Sequence, residues 1–102
     1  DVNDNFRSWD DDLLAGSLHP IELFEFFYVL RKNNWEGVWQ LDQFPFREDS
    51  VAMAIMAIDF LKAVDKALDD LDVKALIVAQ ENHDAMSALK IAQKALYKHL
   101  AK

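Results

Sequence analysis

The chain is 102 residues long, is 52% hydrophobic and carries a formal net charge of -7. That length suits one domain with a core of modest size, and the apolar content argues against disorder. The acidic balance disfavours nucleic acid, whose phosphates require a basic patch, and equally an anionic membrane surface. There is no cysteine, so disulfides and thiolate metal sites are excluded. No run reaches the roughly 18 apolar residues of a membrane span, and the acidic start is the opposite of a signal peptide. A cytoplasmic setting without a membrane partner is therefore expected. The chain opens on Asp1 rather than Met, so further sequence is expected before it.

Residues 1–12, DVNDNFRSWDDD, hold five aspartates against a single Arg7, and Gly16-Ser17 reads as a turn. A helix should begin near Pro20, because proline lacks the N–H that goes unpaired in a first helical turn. Ser17 or His19 is the expected cap. The segment Ile21 to Leu30 is apolar except at Glu22 and Glu25, which predicts burial over most of its circumference. Asn33-Asn34 and Gly37 should end that helix. Val38-Trp39-Gln40-Leu41-Asp42 has strand-like content and is stopped by Pro45.

Asp49 or Ser50 should cap a helix over about 50–70, whose first half, VAMAIMAI, is apolar all round. Met53 and Met56 read there as core filler. Asp72 should cap a short third helix. Asn82-His83-Asp84 interrupts, and an amphipathic helix follows to about residue 100, where Lys98 and His99 suit the negative end of its dipole. Helix, strand, loop, helix is the rhythm of a parallel α/β protein. A single strand cannot make a parallel sheet, so this pattern predicts a portion of something larger.

Oxygen-rich clusters suit hard cations such as Mg²⁺ or Mn²⁺. In Trp9-Asp10-Asp11-Asp12-Leu13, the carboxylates of Asp10 and Asp12 stand at i and i+2 and can converge on one ion from a loop. Spacing alone equally suits a solvated acidic loop. An EF-hand is a poor fit: its sixth position requires Gly and holds Phe6, and its twelfth requires Glu and holds Asp12. Asp42 closes the expected strand, the edge at which parallel α/β barrels place their active sites. It serves as a ligand or as a turn residue. Asn3 and Asn5 orient ligands or shape the loop.

Taken together, DVNDNFRSWDDDLLAGS, a helix, VWQLDQFPFREDS and a second helix resemble the C-terminal part of the xylose-isomerase-like sugar isomerases, which include xylose isomerase and the L-rhamnose isomerases. The likeness covers about residues 1–70. It implies the C-terminal portion of a (β/α)8 TIM barrel (loop after strand 7, helix 7, strand 8, helix 8) with one or two short strands, followed by a helical tail over 71–102.

The resemblance further implies two divalent ions, Mn²⁺ or Mg²⁺. Asp1 and Asp42 would help hold the substrate-binding ion, and Asp10 and Asp12 the second. Many relatives carry His where this chain has Asp1, and the family's remaining ligands come from earlier strands without counterpart here. The implied reaction interconverts an aldose and a ketose by ring opening and a metal-assisted hydride shift between C1 and C2, with a monosaccharide as substrate.

Trp9 and Arg47 are substrate-binding candidates, although Trp9 equally suits packing and Arg47 equally suits pairing with Glu48 or Asp49. A different expectation treats the chain as a non-enzymatic helical interaction module, because its apolar helices demand a partner. Both readings predict association, as a homo-oligomer or with the rest of the barrel. By itself the 102-residue piece is expected to be inactive.

Overall fold

A computed structural model describes residues 2–5, 13–43 and 48–100. Four helices follow in order: α1 (Pro20–Lys32), α2 (Ser50–Asp70), α3 (Val73–Glu81) and α4 (Ala85–Leu100). Two compact units divide the chain, Asp1–Lys62 and Ala63–Lys102. No helix among the described residues is long and apolar enough to cross a membrane.

The helices start and stop where local chemistry dictates. Pro20 opens α1, with His19 at the N-cap. Asp49 accepts from the Ala52 N–H (2.8 Å) ahead of α2, and Asp72 accepts from the Ala75 N–H (3.1 Å) ahead of α3. Asp84 accepts from both the N–H and the Oγ of Ser87 at the start of α4. Each carboxylate satisfies donors that the first helical turn leaves unpaired.

The two C-termini at Asn33 and Asn82 share one pattern. Asn34 N–H donates to Arg31 O and Trp35 N–H to Leu30 O; His83 N–H donates to Gln80 O and Asp84 N–H to Ala79 O. These are Schellman turns, and they require a left-handed residue, supplied by Asn34 (φ 57°) and His83 (φ 54°). Gly37 therefore takes no part in ending α1.

The α/β expectation is overturned. Among the described residues there is no strand, and the only bridge is the isolated antiparallel contact between Asp4 and Leu13. Among these residues neither a barrel portion nor its short strands is present; the arrangement is all-helical. The physical reason lies in the neighbours of residues 38–42. Exposure alternates along them as a strand's would, with Trp39 and Leu41 half-buried between exposed Val38, Gln40 and Asp42. A strand is defined by its ladder, however, and this segment receives one described backbone bond, from Val2 N–H to Gln40 O at 2.8 Å.

In unit 1 the core is built on Phe24 and Phe27, each 1% exposed, with Trp39 stacked on the Phe27 ring at 4.1 Å between centroids. Full burial of each Phe contributes about 2–3 kcal/mol. The rest of α1 is not enclosed as its composition suggests: Phe26 (56%) and Val29 (52%) face solvent. Likewise α2 buries Met53, Ala57 and Leu61, spaced by four, and leaves Val51, Ile55, Met56 and Ile58 exposed. Met53 is thus core filler and Met56 is not. In unit 2 the core comprises Val64, Ala67, Leu68 and Leu71, then Leu76, Ala79, Ala92, Ala95 and Leu96. Here α3 and α4 pack as a helical hairpin.

Candidate metal site

The sequence candidates fall unevenly. Asp1, Asp10 and Asp12, and with them Trp9 and Arg47, lie outside the described residues. Asp42 is described and exposed. Among the described residues no three His, Asp or Glu side chains come together to hold a cation. What the structure does define is the frame around Asp42 and around the base of the acidic loop.

Segment 2–5 is tied to segment 40–43. Val2 N–H donates to Gln40 O at 2.8 Å. The Asn3 amide then takes both backbone groups of Asp42: its Nδ2 donates to Asp42 O (2.7 Å), and its Oδ1 accepts from Asp42 N–H (2.9 Å). Next along the chain, the Gln43 Oε1 accepts from Ala15 N–H at 2.8 Å. With its main chain engaged, Asp42 leaves a carboxylate that has no partner among the described residues. A lone carboxylate is too little to hold Mg²⁺ or Mn²⁺, and no second ligand stands beside it among the described residues.

The acidic loop is closed at its base by reciprocal bonds between Asp4 and Leu13, N–H to C=O in both directions at 3.0 Å. The Asp4 side chain adds a second fastening. One oxygen accepts from Asn5 N–H (2.8 Å) and meets His19 Nδ1 (2.7 Å); the other accepts from the N–H groups of Leu18 (2.9 Å) and His19 (2.8 Å). A buried carboxylate in a low-dielectric setting needs such company. Asp4 is 4% exposed. Burial pushes its carboxyl up, but the His19 ring and the three backbone donors outweigh that and hold it below its ordinary value. In turn the Asp4 hydrogen bond raises the His19 imidazole, against a smaller burial effect, with help from the charges of Asp4 and Glu22.

Asp4 is therefore a structural acid, all of whose acceptor capacity is used within the fold. Composition offers no means of separating it from its neighbours in the acidic run; the one signal is His19 standing immediately before Pro20. His19 makes no side-chain cap to α1, because its ring is turned to Asp4. Gly16, at φ +80°, makes the turn that precedes it, and a Cβ there would sit 2.5 Å from the Phe60 ring.

In unit 2, His99 Nε2 meets Asp70 Oδ2 at 2.5 Å, with Lys98 Nζ 3.6 Å from the same oxygen. The His99 hydrogen bond first, and the Lys98 charge less strongly, hold Asp70 below its ordinary pKa. His99 thus has a partner that the sequence does not disclose.

Neither a scan against models of protein families nor a search of curated proteins finds a match to this chain.

Proposed function

We propose that this chain supplies carboxylates to the divalent-metal centre of an aldose–ketose isomerase acting on a monosaccharide. The observation that carries the reading is the double hydrogen bond from the Asn3 amide to the Asp42 backbone. It sets the segment that opens the acidic run against the segment that bears Asp42. Two further carboxylates adjoin anchored residues in the sequence: Asp1 precedes Val2, and Asp12 precedes Leu13.

Asp1 and Asp42 are assigned to one ion, and Asp10 and Asp12 to a second. A bound Mn²⁺ or Mg²⁺ supplies Lewis-acid polarisation of the sugar's carbonyl and hydroxyl oxygens. The chain's described contribution is to hold the segment bearing Asp42 against residues 2–5. The remaining coordination positions fall to substrate, water and groups beyond these residues. Trp9 and Arg47 are assigned to the substrate side.

The test is turnover. The product of the complete reading frame, supplied with Mn²⁺, is expected to interconvert an aldopentose or a deoxyhexose with its ketose. No turnover on any such sugar, with Mn²⁺ or Mg²⁺, overturns the reading. The 102-residue chain alone is expected to be inactive.

A second reading, a non-enzymatic helical interaction module, is favoured by one observation: the exposed apolar side chains of α1 and α2, Phe26, Val29, Val51, Ile55 and Met56. It predicts association that is indifferent to Mn²⁺ and to Asp42→Asn.

A further inference from the structure

We propose that the solvent face of the first half of α2 docks on the same face of a second copy of this chain, antiparallel and centred on Ile55. The proposal rests on the second reading above, a helical interaction module, and adds to it the partner, its direction and its register.

Over its first half α2 is apolar on two sides. Met53, Ala57 and Leu61 turn inward, each less than a tenth exposed, while Val51 (65%), Ile55 (55%), Met56 (63%) and Ile58 (43%) stand in solvent. Beyond Ile58 the exposed positions change character, to Asp59, Lys62, Asp65 and Lys66. The exposed apolar surface of this helix is therefore confined to about two turns at its N-terminal end.

The charges that bracket the patch select its partner. Glu48 stands seven positions before Ile55 and Lys62 seven positions after it, and both are exposed. In two antiparallel copies centred on Ile55, a residue a given number of positions before it faces the residue the same number after it. Glu48 of each copy therefore comes level with Lys62 of the other. Val51 and Ile58, four before and three after, overlap in that same register. The register that covers the apolar side chains is thus the one that pairs opposite charges. A parallel pair sets Glu48 on Glu48 and Lys62 on Lys62. Asp59 lies about 40° round the helix from Ile55, at the margin of the patch, and Asp65 and Lys66 fall past the start of the partner's helix. A closed two-fold pair requires a surface complementary to itself, and acid, apolar run and base in that order make one. Four apolar side chains per copy fall short of the roughly 800 Å² per partner of a standard stable interface, so the dimer is a weak one.

The test is sedimentation equilibrium of the full 102-residue chain at low salt, at concentrations up to the millimolar, with circular dichroism to check that each variant folds. A monomer–dimer equilibrium is expected. Lys62→Glu and Glu48→Lys are each expected to weaken it about three- to thirtyfold, since each turns two attractive pairs into two repulsive ones. An equimolar mixture of these two variants is expected to associate at least as well as the unaltered chain, and the double reversal to recover its affinity. Ile55→Asp is expected to abolish the dimer. A chain that stays monomeric throughout overturns the second copy as occupant and leaves the face to a different partner. A dimer indifferent to Ile55→Asp overturns the proposal by placing the contact elsewhere. A dimer lost in Ile55→Asp but unmoved by either charge reversal overturns the antiparallel register and leaves the interaction-module reading intact. Association that needs Mn²⁺, or is lost in Asp42→Asn, overturns that reading itself. If Glu48→Lys, beside the α2 N-terminus, does not fold, Lys62→Glu on the exposed helix surface decides.

Discussion

Asp4 gathers four donors on one buried side chain in unit 1. Removing its carboxylate leaves the N–H groups of Asn5, Leu18 and His19 without their acceptor. Asp4→Ala is expected to destabilise the protein by about 3 kcal/mol, the scale of losing a buried charged acceptor, as measured by urea denaturation. The pair with His19 also sets a pH window. His19 is raised above its ordinary value of 6.5, so the folded state holds its proton more tightly than the unfolded one. That stabilisation is complete below pH 6.5 and fades as pH rises through the raised value. Asp4 is lowered below 3.8, so its stabilisation is present above that and fades as pH falls through the lowered value. Stability is therefore expected to be greatest between these limits, and His19→Gln to flatten the alkaline side of the profile and to lessen the acid-side fall without abolishing it, because the three backbone donors to Asp4 remain. An unchanged alkaline slope would contradict the assignment.

At the scale of the elements, the helix boundaries are largely legible in the sequence. Pro20, Asp49 and Asp72 are local signals, and local signals place helix ends well because their partners lie three or four residues away. Residues 38–42 show where such reading stops. Their alternation is real, yet whether it becomes a strand depends on the ladder supplied by distant segments, and no residue within the run reports that. All-apolar helices mislead for a related reason: composition states what a face would prefer, not what the fold provides to cover it, so Phe26, Val29 and Met56 stand exposed. The site follows the same division. Asp42 is readable as an exposed acid at the end of an extended run, whereas its amide clamp at Asn3 and the bonding of Asp4 span 39 and 14–15 residues. A prediction belongs to the turn between α3 and α4. His83 is held at φ 54°, where a Cβ is strained. His83→Gly is expected to raise stability by about 0.5–1 kcal/mol in thermal or urea unfolding, the strain relief exceeding glycine's added chain entropy.

For the whole molecule, exposed apolar surface decides behaviour in solution. Val51, Ile55, Met56 and Ile58 on α2, and Phe26 and Val29 on α1, are exposed. Large apolar patches mark association. The 102-residue chain is expected to self-associate on light scattering, and Ile55→Asp with Met56→Asp to shift it toward monomer. A clean monomer for the unaltered chain would contradict this.

The α3–α4 turn bears on where the chain tolerates editing. Its three residues, Asn82 to Asp84, contain no slack: the Asp84 N–H closes α3 on Ala79, and the Asp84 carboxylate opens α4 on Ser87. One residue thus ends one helix and begins the next, so lengthening the turn by even one position must break one of the two. Tolerance of insertions follows the bonding of the affected backbone and not its distance from the core. A reporter peptide, a protease site or a new terminus for circular permutation should be kept away from this surface turn, exposed though it is.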